Sequence, residues 1–210
     1  MTVARDLRRV PWTLRYRVGA SVASELRKLS VLATHRHCRV EFRGPVRLGP
    51  GFALDIPGHG SFVVGTGVDF RRGFVCEISG EGRVSIGDGS IFTSDALIQC
   101  STSIDIGRRC VFGQSVMMAD GKHRFDDPTL HLLDQGYDYA PLRIGDNAVV
   151  HSKCTIAANI GEGAIIGAGS VVLKPVPPLS LAAGVPARVV RRLGDGDGDA
   201  TAALDRHAAP

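Results

Sequence analysis

The sequence predicts an all-β fold, a parallel β-helix of hexapeptide repeats with an N-terminal α-helix and one long inserted loop. Three observations carry that expectation. Large apolar residues recur at every sixth position, glycine directly follows many of them, and the period breaks once, by about twenty residues, in the second half of the chain. Glycine accounts for 26 of the 210 residues and aromatics for only 6%, while hydrophobic residues still make up 44%. That balance fits a turn-rich globular chain with a narrow aliphatic interior, and no Gly-X-Y period signals collagen.

Residues 1–45 come first, as a basic helical segment. Leu14, Val18, Val22, Leu26, Leu29 and Ala33 step by threes and fours. This spacing places them in one apolar stripe of a helix whose other faces hold Arg15, Arg17, Arg27 and Lys28. Two uses suit such a helix: covering the open first coil of a solenoid, or lying on an anionic membrane surface.

Residues 46–193 form the repeat domain. The apolar series runs Val64, Phe70, Cys76; Ile86, Phe92, Ile98; Ile106, Phe112, Met118; Ile144, Val150, Ile156; and Ile160, Ile166, Val172. A helix needs spacings of three and four and a half-buried strand needs two, so a period of six belongs to neither. A chain that bends every six residues satisfies it. Each hexad is a short strand plus a turn, three hexads close a triangular coil, and the recurring apolar residue points inward where coils stack. Glycine after the apolar residue, as in Val64-Gly65, Ile86-Gly87, Ile106-Gly107 and Ile144-Gly145, is expected to supply the backbone freedom of a corner. The register slips between Cys76 and Ile86, between Ile98 and Ile106, and between Ile156 and Ile160, and the last slip predicts a distorted corner.

The break itself, Ala119 to Arg143, is a loop of the kind that builds active sites on rigid scaffolds. It holds His123 and His131 with Asp120, Asp126, Asp127, Asp134 and Asp138. Residues 194–210, rich in Gly-Asp and poor in apolar side chains, are predicted to be a disordered tail, without the spacing of a calcium loop.

Composition excludes several classes. The formal charge of +4 divides unevenly, because residues 1–47 carry eleven Lys/Arg against three Asp/Glu. With one Trp, one Tyr and no zinc-finger, helix-turn-helix or RNA-binding signature in that segment, nucleic acid is not an expected partner. No apolar run approaches a membrane span, and the first thirty residues lack the apolar centre of a signal peptide, so a cytoplasmic protein is expected. Five widely spaced cysteines without a CxxC pair fit reduced thiols. His35, His37 and Cys38 lack a fourth ligand and a metal-site spacing, so no metal is expected.

The runs Ile144-Gly-Asp-Asn-Ala-Val and Ile160-Gly-Glu-Gly-Ala-Ile-Ile-Gly-Ala-Gly-Ser-Val-Val172, followed by Gly184-Val-Pro-Ala-Arg188, resemble the hexapeptide-repeat acyltransferases. Within them the likeness is to the sugar O-acetyltransferase branch of maltose, galactoside and exopolysaccharide acetyltransferases. The resemblance covers residues 46–193. It implies a left-handed β-helix, acetyl-CoA or another acyl-CoA as co-substrate, a homotrimer, and transfer to a hydroxyl of a sugar or glycan precursor. His123 stands where that branch places its general base, and imidazole, which ordinarily titrates near ~6.5, suits removal of a hydroxyl proton at neutral pH. Asp120, counted with the acceptor-side residues, is the first candidate to orient its second nitrogen, a backbone carbonyl being equally able.

For the coenzyme the resemblance implies Ser152, Ala168, Leu173, Lys174, Arg188 and Arg191, the cations serving the phosphates and the small residues the pantetheine arm. Val149 and His151 replace a tryptophan and a small residue of the family pattern. On the acceptor side, Ser79 keeps the hydroxyl type, whereas Thr93 and Ser101 replace an asparagine and an aspartate, which puts maltose or galactoside in doubt as acceptor. Two alternatives stand beside this reading: a non-catalytic β-helical scaffold, and a γ-carbonic-anhydrase-like metalloenzyme, for which the third histidine is missing.

Overall fold

A computed structural model describes residues 19–194. The stripe positions Leu14 and Val18, and the predicted tail from residue 195 onward, lie outside the described residues. Helix α1 (Gly19–Thr34) leads into a three-sided prism. Sheet A stacks Arg39–Phe42, Ser61–Val64, Arg83–Ile86, Ser103–Ile106 and Leu142–Ile144. Sheet B runs from Arg47–Leu48 through Asp69–Arg72, Ile91–Ser94, Val111–Phe112, Val149–Val150 and Ile165–Ile166 to an antiparallel closing hairpin, Ser180–Gly184 with Ala187–Arg192. Sheet C holds Ala53–Asp55, Val75–Ile78, Leu97–Cys100, Met117–Ala119, Thr155–Ile156 and Val171–Val172. The chain passes from A to B to C and returns to A one rung further on. Every strand of these three sheets before the closing hairpin therefore pairs in parallel with its counterpart in the next coil.

The coils are not uniform triplets of hexads. Stacked partners lie 22 residues apart at Thr66 and Asp88, 20 at Ser85 and Asp105, and only 16 at Arg143 and Asn159. All three register slips fall at the same edge of the prism, the corner from sheet C to sheet A. At the third, sheet A shrinks to single bridging residues, Ile160 and Val176. The Asn159 side chain there accepts from Arg143 N at 2.8 Å.

Coil size sets the interior. The wide N-terminal coils are filled by phenylalanine, not by aliphatic side chains alone. Phe70, Phe92 and Phe112 stack ring on ring, at 5.2 and 4.6 Å between centroids, with Phe62 and Phe74 buried beside them. In the short C-terminal coils the same column continues as Val150, Ile166 and Ala182. The buried phenylalanines are thus concentrated where the prism is widest.

The glycines after apolar positions serve close approach, not corner freedom. A Cβ on Gly87 would lie 2.6 Å from the carbonyl carbon of Gly107 in the next coil, and one on Gly107 would lie 2.6 Å from Asp146 N. The left-handed backbone occurs two residues later, at Gly89 (φ 68°), Arg109 (56°) and Asn147 (59°).

Helix α1 covers the first coil, yet with the face opposite to the one its apolar stripe implies. Ser24 is buried and its Oγ accepts from Leu48 N (2.8 Å), Arg27 Nη1 donates to Leu48 O (3.0 Å), and Val31 packs against the core. Beyond the helix, Leu54 O accepts from His35 Nε2 (3.1 Å) and Ile56 O from His37 Nε2 (2.7 Å). These side chains satisfy carbonyls that a preceding coil would otherwise bond. Polar groups win this face because an edge strand offers N–H and C=O groups, which leucine cannot satisfy. No helix among the described residues is long and apolar enough to cross a membrane. All five cysteines are free thiols, four of them buried.

Candidate active site

The edge between sheets C and A is where the insert leaves the prism. Its two ends form an antiparallel hairpin, Gly121–His123 with Tyr137–Tyr139, pairing Gly121 with Tyr139, Lys122 with Asp138 and His123 with Tyr137. Arg124 Nε donates to Asp138 Oδ1 at 2.7 Å and Lys122 Nζ lies 3.8 Å from Oδ2. The Arg124 guanidinium holds the Asp138 carboxyl below the usual carboxylate range. Gly121 leaves room for Tyr139, whose ring would lie 2.6 Å from a Cβ at that position. Distally, Asp127 accepts from the N–H and hydroxyl of Thr129. His131 Nδ1 accepts from Leu133 N (3.3 Å) as cap of a short 3-10 helix, Leu132–Asp134. His131 is therefore a structural residue of the loop.

Asp120 roots this hairpin. It is 5% exposed, its Oδ1 accepts from Ser101 N (2.8 Å), and its Oδ2 accepts from Thr102 N (2.6 Å) and Thr102 Oγ1 (2.9 Å). Its own carbonyl accepts from Ala140 N at 2.8 Å. The expectation that Asp120 orients His123 is corrected accordingly: its carboxylate lone pairs point into the preceding coil. His123 Nδ1 is buried and has no hydrogen-bond partner, while the ring packs against Tyr137 at 4.2 Å between centroids. Tyr137 in turn stacks on Tyr139 at 5.6 Å, nearly parallel at 11°.

A hollow of about 390 Å³ opens on the N-terminal side of the hairpin, lined by Glu77, Ser79, Gln99, Ser101, Lys122, His123, Tyr137 and Tyr139. Of the acceptor-side residues, Ser79, Ser101 and Asp120 meet His123 here, as successive corners of one edge. Thr93 does not line it; it stands on sheet B, with its Oγ1 buried and unpartnered. Glu77, Gln99, Lys122 and the two tyrosines lie outside the sequence-based set. Glu77 and Gln99 are in register on sheet C and share a 2.9 Å hydrogen bond, each two residues before a corner serine. The slip positions were the available signal, because aligning the coils on them brings these residues above one another. Cys100 also lines the hollow, but burial and then the Asp120 charge push its thiol up to about 12. It is a donor to Asp120, not a nucleophile.

A smaller hollow of about 140 Å³ lies on the C-terminal side, between the hairpin and Ala157. Further along that same edge stand Leu173, 58% exposed, and Lys174, also exposed. Ser152 and Ala168 occupy a different corner, from sheet B to sheet C, where Ser152 O accepts from Gly169 N (2.9 Å). Arg188 and Arg191 are exposed residues of the closing strand, where Arg188 Nη1 donates to Ala187 O (3.0 Å) and Arg191 Nη1 to Arg192 O (3.4 Å). The coenzyme-side candidates thus occupy two edges and the closing hairpin of the C-terminal coils. Among the described residues, no three His, Cys, Asp or Glu side chains are grouped as metal ligands.

No family model matches the chain. Over 113 residues it is 34% identical to the probable acetyltransferase Rv3034c of Mycobacterium tuberculosis, covering 53% of this chain and 38% of that protein. Over 99 residues it is 36% identical to the galactoside O-acetyltransferase of Escherichia coli, covering 45% and 47%. The chain spans less than half the length of these curated relatives. A solved galactoside acetyltransferase in complex with coenzyme A superposes with a TM-score of 0.55 at 25% identity, over 82% of this chain and 73% of that one. The chain folds as a left-handed parallel β-helix like the solved hexapeptide-repeat acetyltransferases, and in sequence it is similar to proteins named acetyltransferases, the galactoside O-acetyltransferase among them.

Proposed function

We propose that this protein is an acetyl-CoA-dependent O-acetyltransferase that acts as a homotrimer on a hydroxyl of a sugar or glycan precursor. The observation that carries the reading is His123, held by the hairpin on the wall of a polar hollow beside two stacked tyrosines. A sugar ring presents C–H faces to an aromatic platform and hydroxyls to its rim, and Tyr137 with Tyr139, and Glu77 with Gln99, provide both. A cytoplasmic location, where acetyl-CoA is available, goes with this reading.

His123 acts as general base. It removes the acceptor hydroxyl proton as the oxygen attacks the thioester carbonyl, and backbone N–H groups stabilise the tetrahedral oxyanion. Collapse breaks the C–S bond, and the departing thiolate takes the proton back from the imidazolium. Transfer is direct, in keeping with the inert thiol of Cys100. Coenzyme A approaches from the C-terminal coils, with Lys174, Arg188 and Arg191 for its phosphates and Ser152, Ala168 and Leu173 along its arm.

The platform is testable apart from the base. Tyr139→Ala, which removes the ring that does not touch His123, is expected to raise the acceptor KM by about tenfold, the cost of roughly 1.4 kcal/mol of aromatic contact, with the acetyl-CoA KM unchanged. Steady-state kinetics varying each substrate in turn check this. An unchanged acceptor KM removes the platform from the site.

A further inference from the structure

The apolar stripe of helix α1 faces away from the protein. Val22 is 55% exposed, Leu26 62%, Leu29 64% and Leu32 41%, while Ser24, Arg27, Lys28 and Val31 take the side toward the first coil. This reverses the usual arrangement, in which a surface helix buries its apolar side and exposes its charges. Lys28 is turned inward, with 13% of its side chain exposed, and its Nζ lies 2.7 Å from Glu25, the one acid of the described helix, which is 65% exposed and stands between Leu29 and Leu32 around the axis. The outward face is thereby left apolar along most of a helix about 24 Å long.

The charge at the two ends of this face identifies its occupant. In the sequence Arg15 and Arg17 stand shortly before Gly19, and Arg36, exposed, follows the helix, whereas Arg39 is paired with Glu41 at 2.7 Å. Residues 1–18 add Arg5, Arg8 and Arg9 against one acid, Asp6, together with Trp12 and Tyr16. An apolar strip bracketed in the sequence by arginines, with Trp12 and Tyr16 a few residues upstream in the chain, has the chemistry of a helix lying in the plane of a lipid headgroup layer. Each arginine near an anionic surface adds attraction that a neutral surface does not offer. A strip of four side chains is also well short of the ~800 Å² per partner that stable protein contacts bury. We infer that the outward stripe of helix α1, Val22, Leu26, Leu29 and Leu32, docks this protein on an anionic lipid surface. The inference is independent of the acetyltransferase reading.

The test is co-sedimentation of the full chain with vesicles of phosphatidylcholine, with and without phosphatidylglycerol, at low and high salt. The native protein is expected to pellet with the anionic vesicles, and binding is expected to fall as salt rises. Leu26→Ser with Leu29→Ser is expected to weaken binding by about tenfold or more, with the circular dichroism spectrum, the solution mass and any acetyl-transfer rate on a free acceptor unchanged. Absence of native binding overturns the inference, as does equal binding by the double variant. A drop in solution mass in the double variant, with no vesicle binding by either protein, assigns the stripe to a contact between copies and likewise overturns it.

Discussion

Replacing His123 with alanine is expected to lower the acetyl-transfer kcat by about 10²- to 10⁴-fold, with coenzyme A binding retained. The hairpin partner Tyr137 supports the imidazole from one side, and the fold buries its Nδ1. Removing the ring leaves the acceptor hydroxyl with its proton while the thioester is attacked. Coenzyme A is assigned to side chains that His123 does not touch, so its affinity is expected to survive. Thiol release followed colorimetrically, with a calorimetric titration of coenzyme A into both proteins, separates the two effects. Equal turnover by both proteins removes His123 from the chemistry.

Asp120→Ala is expected to act through structure. The carboxylate accepts three hydrogen bonds from Ser101 and Thr102, and the substitution strands two backbone N–H groups in a nearly dry corner. An unmatched buried donor costs about 1–3 kcal/mol, so the loss of unfolding free energy is expected near 3 kcal/mol. Asparagine restores little, because its amide nitrogen would face an N–H donor. As Asp120 roots the hairpin, kcat is expected to fall with the acetyl-CoA KM unchanged. Denaturant unfolding and steady-state kinetics on the same preparation check both halves. A variant as stable as the native protein contradicts the anchoring role.

The apolar hexads made the prism legible, because only an inward-pointing residue on every short strand yields a period of six. Their slips marked the functional edge as well, since all three lie between sheets C and A, and so does the insert. Pattern alone was insufficient where a contact depends on what the next coil presents. Asp120 is close to His123 in sequence, but the N–H groups that claim it belong to Ser101 and Thr102, one coil earlier. Glu77 and Gln99 carry no motif and become neighbours only when coils of 22 residues are stacked. Helix α1 misled for a related reason. Amphipathicity says which side is apolar, whereas the edge strands of the first coil demanded hydrogen bonds and drew the polar side inward.

The most direct test of the central claim is acetyl-CoA turnover over a panel of sugars, nucleotide sugars and simpler hydroxyl compounds, read as free thiol and as O-acetylated product. The expected result is one-to-one thiol release and ester formation with at least one sugar-type acceptor, lost in His123→Ala. Coenzyme A failing to bind, or binding with no ester formed on any acceptor, would contradict the assignment of this edge of the β-helix as an acetyl-transfer site.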